Sequence, residues 1–243
     1  MVAGPSARCC TQMAALGGKV VLFGGMIGTT YPQDTWIWDG SSWSQSAATG
    51  PAGRKGAAMG ALDGTIVMFG GANSAVLADT WTFDGTSWTQ STASPMPTLR
   101  QGAAAASQTT RVVVFGGYDT ATPDADTWLW SGTGWSQPTV TEASARKGAT
   151  AAPFGAGVLM FGGWNTTYLG DTWLWSGAGW AMASTAGPGA REYAAMATLG
   201  GEVVLFGGFN GSYFGDTWTW NGSMWMQQNI AGPSARTASM ATY

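Results

Sequence analysis

Val20-Val21-Leu22-Phe23-Gly24-Gly25, followed by Asp34-Thr35-Trp36-Ile37-Trp38, decides the fold, because the chain repeats this arrangement five times. Phe-Gly-Gly begins at Phe23, Phe69, Phe115, Phe161 and Phe206, at spacings of 46, 46, 46 and 45 residues. Asp-Thr-Trp follows each time, from Asp34, Asp79, Asp126, Asp171 and Asp216, and a later aromatic pair closes the unit, as in Trp38 and Trp43. An arginine opens each unit: Arg8, Arg54, Arg100, Arg146 and Arg191, with a sixth at Arg236. A fixed period of this length is the signature of a repeat architecture, in which neighbouring units bury what one unit cannot.

Four strands, a to d, can be read in each unit. Strand a follows the arginine and is rich in small residues, as in Gly56-Ala57-Ala58-Met59, which suits a crowded innermost position. Strand b is a continuous apolar run, as expected where both faces are covered. Strand c places Trp36 and Trp38 on one face and Thr35 and Ile37 on the other. Asp39-Gly40, Asp84-Gly85, Ser131-Gly132, Ser176-Gly177 and Asn221-Gly222 join c to d, with residues that tolerate positive φ. A four-stranded sheet with two apolar faces must stack radially, so the expected fold is all-β: a β-propeller of five four-stranded blades. The whole of residues 1–243 is read as one domain, with units near 8–53, 54–99, 100–145, 146–190 and 191–235. Residues 236–243 form a surplus C-terminal inner strand. Because Gly4-Pro5-Ser6-Ala7-Arg8 recurs as Gly232-Pro233-Ser234-Ala235-Arg236, that strand is expected to close the ring in the inner slot of blade one. If it pairs with another molecule instead, an oligomer results; otherwise the protein is a monomer.

Four hydrophobic residues, a double glycine, an aromatic-Asp signature, a spaced tryptophan and an arginine opening the next unit resemble the kelch repeats of the galactose-oxidase-type propeller family. Two departures matter. The tyrosine expected before Asp is replaced, and the histidine expected after the arginine is missing from every unit. The resemblance implies a propeller and leaves function open among enzymes, lectin-like modules and protein-interaction platforms. Copper oxidase activity does not carry over, because the chain contains no histidine.

The absence of histidine also removes Ser-His-Asp and Cys-His catalysis and imidazole metal ligands. No metal or cofactor is therefore expected. Ten scattered Lys and Arg residues against thirteen Asp and Glu form no basic stripe, which argues against nucleic acid. No apolar run is long enough for a membrane helix, so no membrane partner is expected. Met1 to Arg8 lacks the pattern of a signal peptide. Few lysines with abundant Gly, Ser, Thr and Trp match secreted bacterial surface proteins, for which a leader would precede residue 1. Cys9 and Cys10, placed on the channel-facing strand, are read as small buried hydrophobes.

The leading functional expectation is a binding or scaffolding module for a protein or glycan on the rim carrying the b–c and d–a loops. The alternatives are a carbohydrate-active enzyme using carboxylates, for which two non-repeat carboxylates in a cleft would speak, and a purely structural assembly protein. The residue after each double glycine varies between blades, as does the residue after each arginine, so the repeat does not dictate them. Met26, Tyr118, Trp164 and Phe209 are the apolar candidates, and Arg100, Arg146 and Lys147 the polar ones. The arginines are expected to pair with the repeat aspartates, and the sharper reading gives Arg54, Arg100 and Arg146 spare donors for an anion.

Overall fold

A computed structural model describes residues 4–238. Blade one comprises β1 (Gln12–Leu16), β2 (Lys19–Phe23), β3 (Thr35–Trp38) and β4 (Trp43–Gln45). Blade two comprises β5 (Ala58–Leu62), β6 (Thr65–Phe69), β7 (Thr80–Phe83) and β8 (Trp88–Ser91). Blade three has β9 (Ala104–Gln108), β10 (Arg111–Phe115), β11 (Thr127–Trp130) and a short β12 (Trp135–Ser136). Blade four has β13 (Thr150–Phe154), β14 (Gly157–Asn165), β15 (Thr167–Trp175) and β16 (Trp180–Ser184), and blade five β17 (Ala195–Leu199), β18 (Glu202–Phe206), β19 (Thr217–Trp220) and β20 (Trp225–Gln228). Every blade is an antiparallel sheet in chain order, and the described residues contain no helix. The result is the five-bladed propeller that the repeat predicts.

The core lies between blades. Blade one presents Ala14, Val21 and Phe23 to Met59, Ile66, Met68, Phe83 and Trp88 of blade two. The same pattern recurs where Val113, Phe115 and Leu129 of blade three meet Val158, Met160, Trp175 and Trp180 of blade four. Four of the interfaces are also crossed by a hydrogen bond. The indole N–H groups of Trp88, Trp135, Trp180 and Trp225 donate to the hydroxyls of Thr35, Thr80, Thr127 and Thr172 in the preceding blade, at 2.8–2.9 Å.

The double glycine sets the exit of strand b. Gly24 and Gly25 both have positive φ, 64° and 97°, and a Cβ on Gly24 would lie 2.5 Å from the carbonyl oxygen of Arg54. This close approach lets the Gly25 N–H donate to Arg54 O of the next blade at 2.9 Å, and the bond recurs from Gly71, Gly117, Gly163 and Gly208.

Both ends of the described chain reach the axial cavity. The inner slot of blade one is filled by β1. Arg236 binds blade five, donating its N–H to Phe214 O and accepting from Gly208 N–H, as Arg100, Arg146 and Arg191 each bind the blade before. Arg236 thus makes to blade five the double-glycine bond by which an arginine opens a following blade, and Thr237 and Ala238 line the axial cavity with Arg8 and Cys9. Residues 239–243, the rest of the predicted closing strand, lie outside the described residues. Among the described residues, the Trp–Thr bond spans four junctions, and none joins blade five to blade one.

Candidate functional site

The arginines are keystones. Arg54, Arg100, Arg146 and Arg191 are at most 2 % exposed. Arg146 donates to both oxygens of Asp171 at 2.7 and 2.9 Å, to the carbonyls of Gly162 and Ser144, and to the Ser144 hydroxyl. Arg100 is held in the same way by Asp126, Gly116 and Thr98. A guanidinium with its donors committed in this way has none for a ligand. The sharper reading of Arg100 and Arg146 is therefore corrected, since all five donors of each are taken; Arg54, equally buried, commits four to Ala52, Gly70 and Asp79. Each aspartate also accepts from the first tryptophan of its blade, as Trp173 donates to Asp171 at 2.6 Å. Burial pushes the Asp171 carboxyl up, and the hydrogen bonds and charge of Arg146, with the Trp173 bond, more than offset this, so its pKa falls below the ordinary value.

Above this layer the two variable positions pair with each other. The residue after each arginine bridges to the residue after each double glycine: Cys9 with Met26, Lys55 with Ala72, Gln101 with Tyr118, Lys147 with Trp164, and Glu192 with Phe209. The next residue inward turns into the left-handed region in every blade. Gly56, Gly102 and Gly148 adopt it freely, whereas Cys10 (φ 60°) and Tyr193 (φ 53°) adopt it against the preference of their side chains. These turns are linked in series around the axis, by Gly56 N–H to Cys10 O, Gly102 to Gly56, Gly148 to Gly102, and Tyr193 to Gly148, at 2.7–3.2 Å. They ring one end of an axial cavity of about 250 Å³, lined by inner strands of all five blades together with Thr237 and Ala238.

One side of the ring is aromatic and charged. The Lys147 ammonium lies 4.4 Å from the Tyr118 ring centroid and 4.9 Å from that of Trp164. Phe209 packs on Tyr213 at 5.1 Å and on Tyr168 at 6.3 Å. Glu192 sits beside Lys147; burial raises its carboxyl pKa and the lysine charge opposes that. Its Oε2 is buried and has no hydrogen-bond partner among the described residues. Tyr193 reaches over the axis, its hydroxyl 3.3 Å from where a Cβ on Gly102 would stand.

Trp164 lies in β14. Blade four extends its b–c connection into a hairpin in which Trp164 faces Tyr168, turning at Thr166 with φ 58°. The structure thus brings Tyr118, Lys147 and Trp164 together, places Phe209 beside Glu192 on the next blade, and puts Met26 on blade one. Glu192 is one of the variable positions that follow an arginine, whereas Tyr193 escaped notice as a ring residue. The signal was present, since Tyr193 stands where three other units have glycine.

Cys9 and Cys10 are both exposed, which corrects their reading as buried hydrophobes; β1 begins at Gln12, and the cysteines precede it on the rim. Two non-repeat carboxylates, Asp124 and Glu142, flank a shallow cleft with Asp126. Glu142 accepts from the N–H and hydroxyl of Thr127. In blade two the corresponding Thr80 pairs with Ser91 of strand d, and the two-residue β12 stops short of this position. Glu142 thus serves the backbone where strand d is missing.

A family model described as the KLHDC2/KLHL20/DRC7 Kelch-repeats domain matches residues 43–184, more than half of the chain. No curated protein matches the sequence.

Proposed function

Because the chain belongs to the kelch-repeat domain family, we propose that it is a protein-binding module whose working surface is the axial rim around Tyr118, Lys147 and Trp164, with Phe209 and Met26 farther round the ring. Kelch propellers commonly mediate protein–protein interaction. The observation that carries the placement is the Lys147 ammonium set between two half-buried aromatic rings at the one layer that the repeat leaves variable. Aromatic rings with a cation over their faces supply large contact area at low conformational cost, the composition that dominates binding energy at protein interfaces.

A peptide library and a glycan array probed in parallel with the purified protein identify the ligand class, and calorimetry on the best hit measures its affinity. Burying about 100 Å² of Trp164 against a ligand contributes roughly 2–3 kcal/mol at ~25 cal/mol per Å² before association costs. Trp164→Ala is expected to weaken binding about tenfold or more with the melting temperature kept, whereas Trp173→Ala, which removes a donor to Asp171, costs stability first. The placement fails if Trp164→Ala destabilises the protein as Trp173→Ala does and leaves affinity untouched. Glycans alone among the hits would replace the protein ligand with a sugar.

A further inference from the structure

The junction between blade five and blade one differs from the other four. Apolar clusters fill the junctions from blade one round to blade five, and among the described residues none joins blade five to blade one. Leu199 ends its inner strand where Leu16, Leu62 and Phe154 end theirs and pack on the next blade, yet Leu199 is 67 % exposed. Ile230 stands five residues after Trp225, as Ala48, Ala93 and Val140 stand after Trp43, Trp88 and Trp135. Those three pack into the next junction, whereas Ile230 is 66 % exposed. On the blade-one side, Trp38 and Trp43 are half-buried, where their counterparts Trp220 and Trp225 are buried.

Polar partners are missing at the same place. Thr35, Thr80, Thr127 and Thr172 are buried and each accepts an indole N–H from the next blade, but Thr217 is half-buried and accepts none among the described residues. Each arginine that opens a blade sends Nη1 to the first carbonyl of that blade's double glycine and to its aspartate, as Arg191 does to Gly207 and Asp216. Arg236 makes the opening arginine's backbone bonds to blade five, yet its side chain is exposed and among the described residues donates only to Ser234. Blade one does not answer it, because Asp34 is held by two donors of Arg8. Arg236 is thus docked as the opening residue of a blade that is not there.

We propose that this junction is a docking slot for a three-stranded sheet of the same repeat, carried by a second polypeptide, which gives an aspartate to Arg236, an indole to Thr217 and an apolar face to Leu199 and Ile230. The four filled junctions of this chain specify that chemistry. Apolar side chains left exposed where sister positions are covered mark an interaction surface, and a guanidinium without a carboxylate adds charge complementarity to it. Thr237 and Ala238 line the axial cavity as the inner strands do, so the occupant supplies only the outer three strands. A second copy of this chain fits less well, since each of its five repeat aspartates is gripped by its own arginine.

A labelled synthetic peptide of residues 65–91, which spans β6, β7 and β8 and carries Asp79 and Trp88, probes the slot by fluorescence anisotropy and calorimetry on the whole chain. One peptide per chain is expected to bind, and to raise the melting temperature by about 5 °C or more at a hundredfold excess over Kd. Arg236→Ala or Thr217→Val in the chain, or Asp79→Ala in the peptide, is expected to weaken binding about tenfold or more, and Ile230→Asp to abolish it. Attaching the same residues behind Tyr243 repeats the test without a free peptide: the melting temperature rises, and Asp79→Ala within the attached unit removes the gain. The slot is refuted if neither the free nor the attached unit raises the melting temperature, or if Arg236→Ala binds the peptide as tightly as the wild type. Sedimentation as a dimer that Ile230→Asp dissociates would give the junction to a second copy and overturn the proposal.

Discussion

At the scale of single residues, the repeat arginine does three jobs at once. Its guanidinium grips the aspartate of its own blade, its carbonyl accepts from the double glycine of the blade before, and its position fixes where the variable residue begins. Removing the carboxylate would leave a buried cation without its partner. Asp171→Ala is therefore expected to cost about 3 kcal/mol, the lower end of the range for breaking a buried pair, because the Asp171 side chain keeps 17 % of its surface in water. Chemical denaturation checks this; a loss under about 1 kcal/mol would mean that the Ser144 and Gly162 contacts hold Arg146 alone.

At the scale of the element, three tryptophan positions per blade carry three different duties. The first donates to the aspartate of its own blade, from Trp36, Trp81, Trp128, Trp173 and Trp218. The second has no partner among the described residues for its N–H at Trp175 and Trp220, which explains why blade two accepts Phe83 there. The third bridges to the preceding blade. Trp225→Phe strands the buried Thr172 hydroxyl and is expected to cost about 1–3 kcal/mol. Trp43→Phe is expected to cost clearly less, since Trp43 is half-buried and no threonine among the described residues receives its indole. Equal losses in thermal melts of the two variants would show that packing, not the cross-blade bond, accounts for the third position.

At the scale of the whole molecule, stability depends on a ring of carboxylates poised in opposite directions. Burial raises Asp34, Asp79, Asp126, Asp171 and Asp216, and their arginine and tryptophan partners bring each below its ordinary value. The backbone N–H groups of Ser41 and Ser42 lower Asp39 as well. A lowered carboxyl contributes stability in full above its unfolded pKa of about 3.9 and loses it as pH falls through the folded value. Asp124, Glu142 and Glu192 are raised by burial, so their contribution is present below about pH 4 and lost as pH rises through their folded values. The melting temperature is thus expected to rise slightly as pH falls from 7 towards about 5, and to fall steeply below about 4. A profile that is flat or rising below pH 4 in calorimetry would contradict the assigned ion pairs.

Period and residue type by themselves determined the blade count, the strand order within a blade and the pairing of arginine with aspartate. Each of these follows from local alternation and from a motif said five times, which leaves one geometry able to satisfy it. The convergence of the two variable positions was also legible, because strand direction alone places them on one rim. What the sequence could not decide is contact across blades. Lys147 meets Tyr118 through the rotation of one blade against the next, and Arg100 and Arg146 are buried because the loops of the d–a connection fold over them. The approach of the Cys9 and Cys10 sulfurs to 3.0 Å depended on a single left-handed φ at Cys10 that residue type disfavours. The docking of Arg236 was likewise a matter of contact, since its backbone bonds with Gly208 and Phe214 hold it on blade five. Local pattern is set by chain stereochemistry, whereas such contacts arise where separate blades meet.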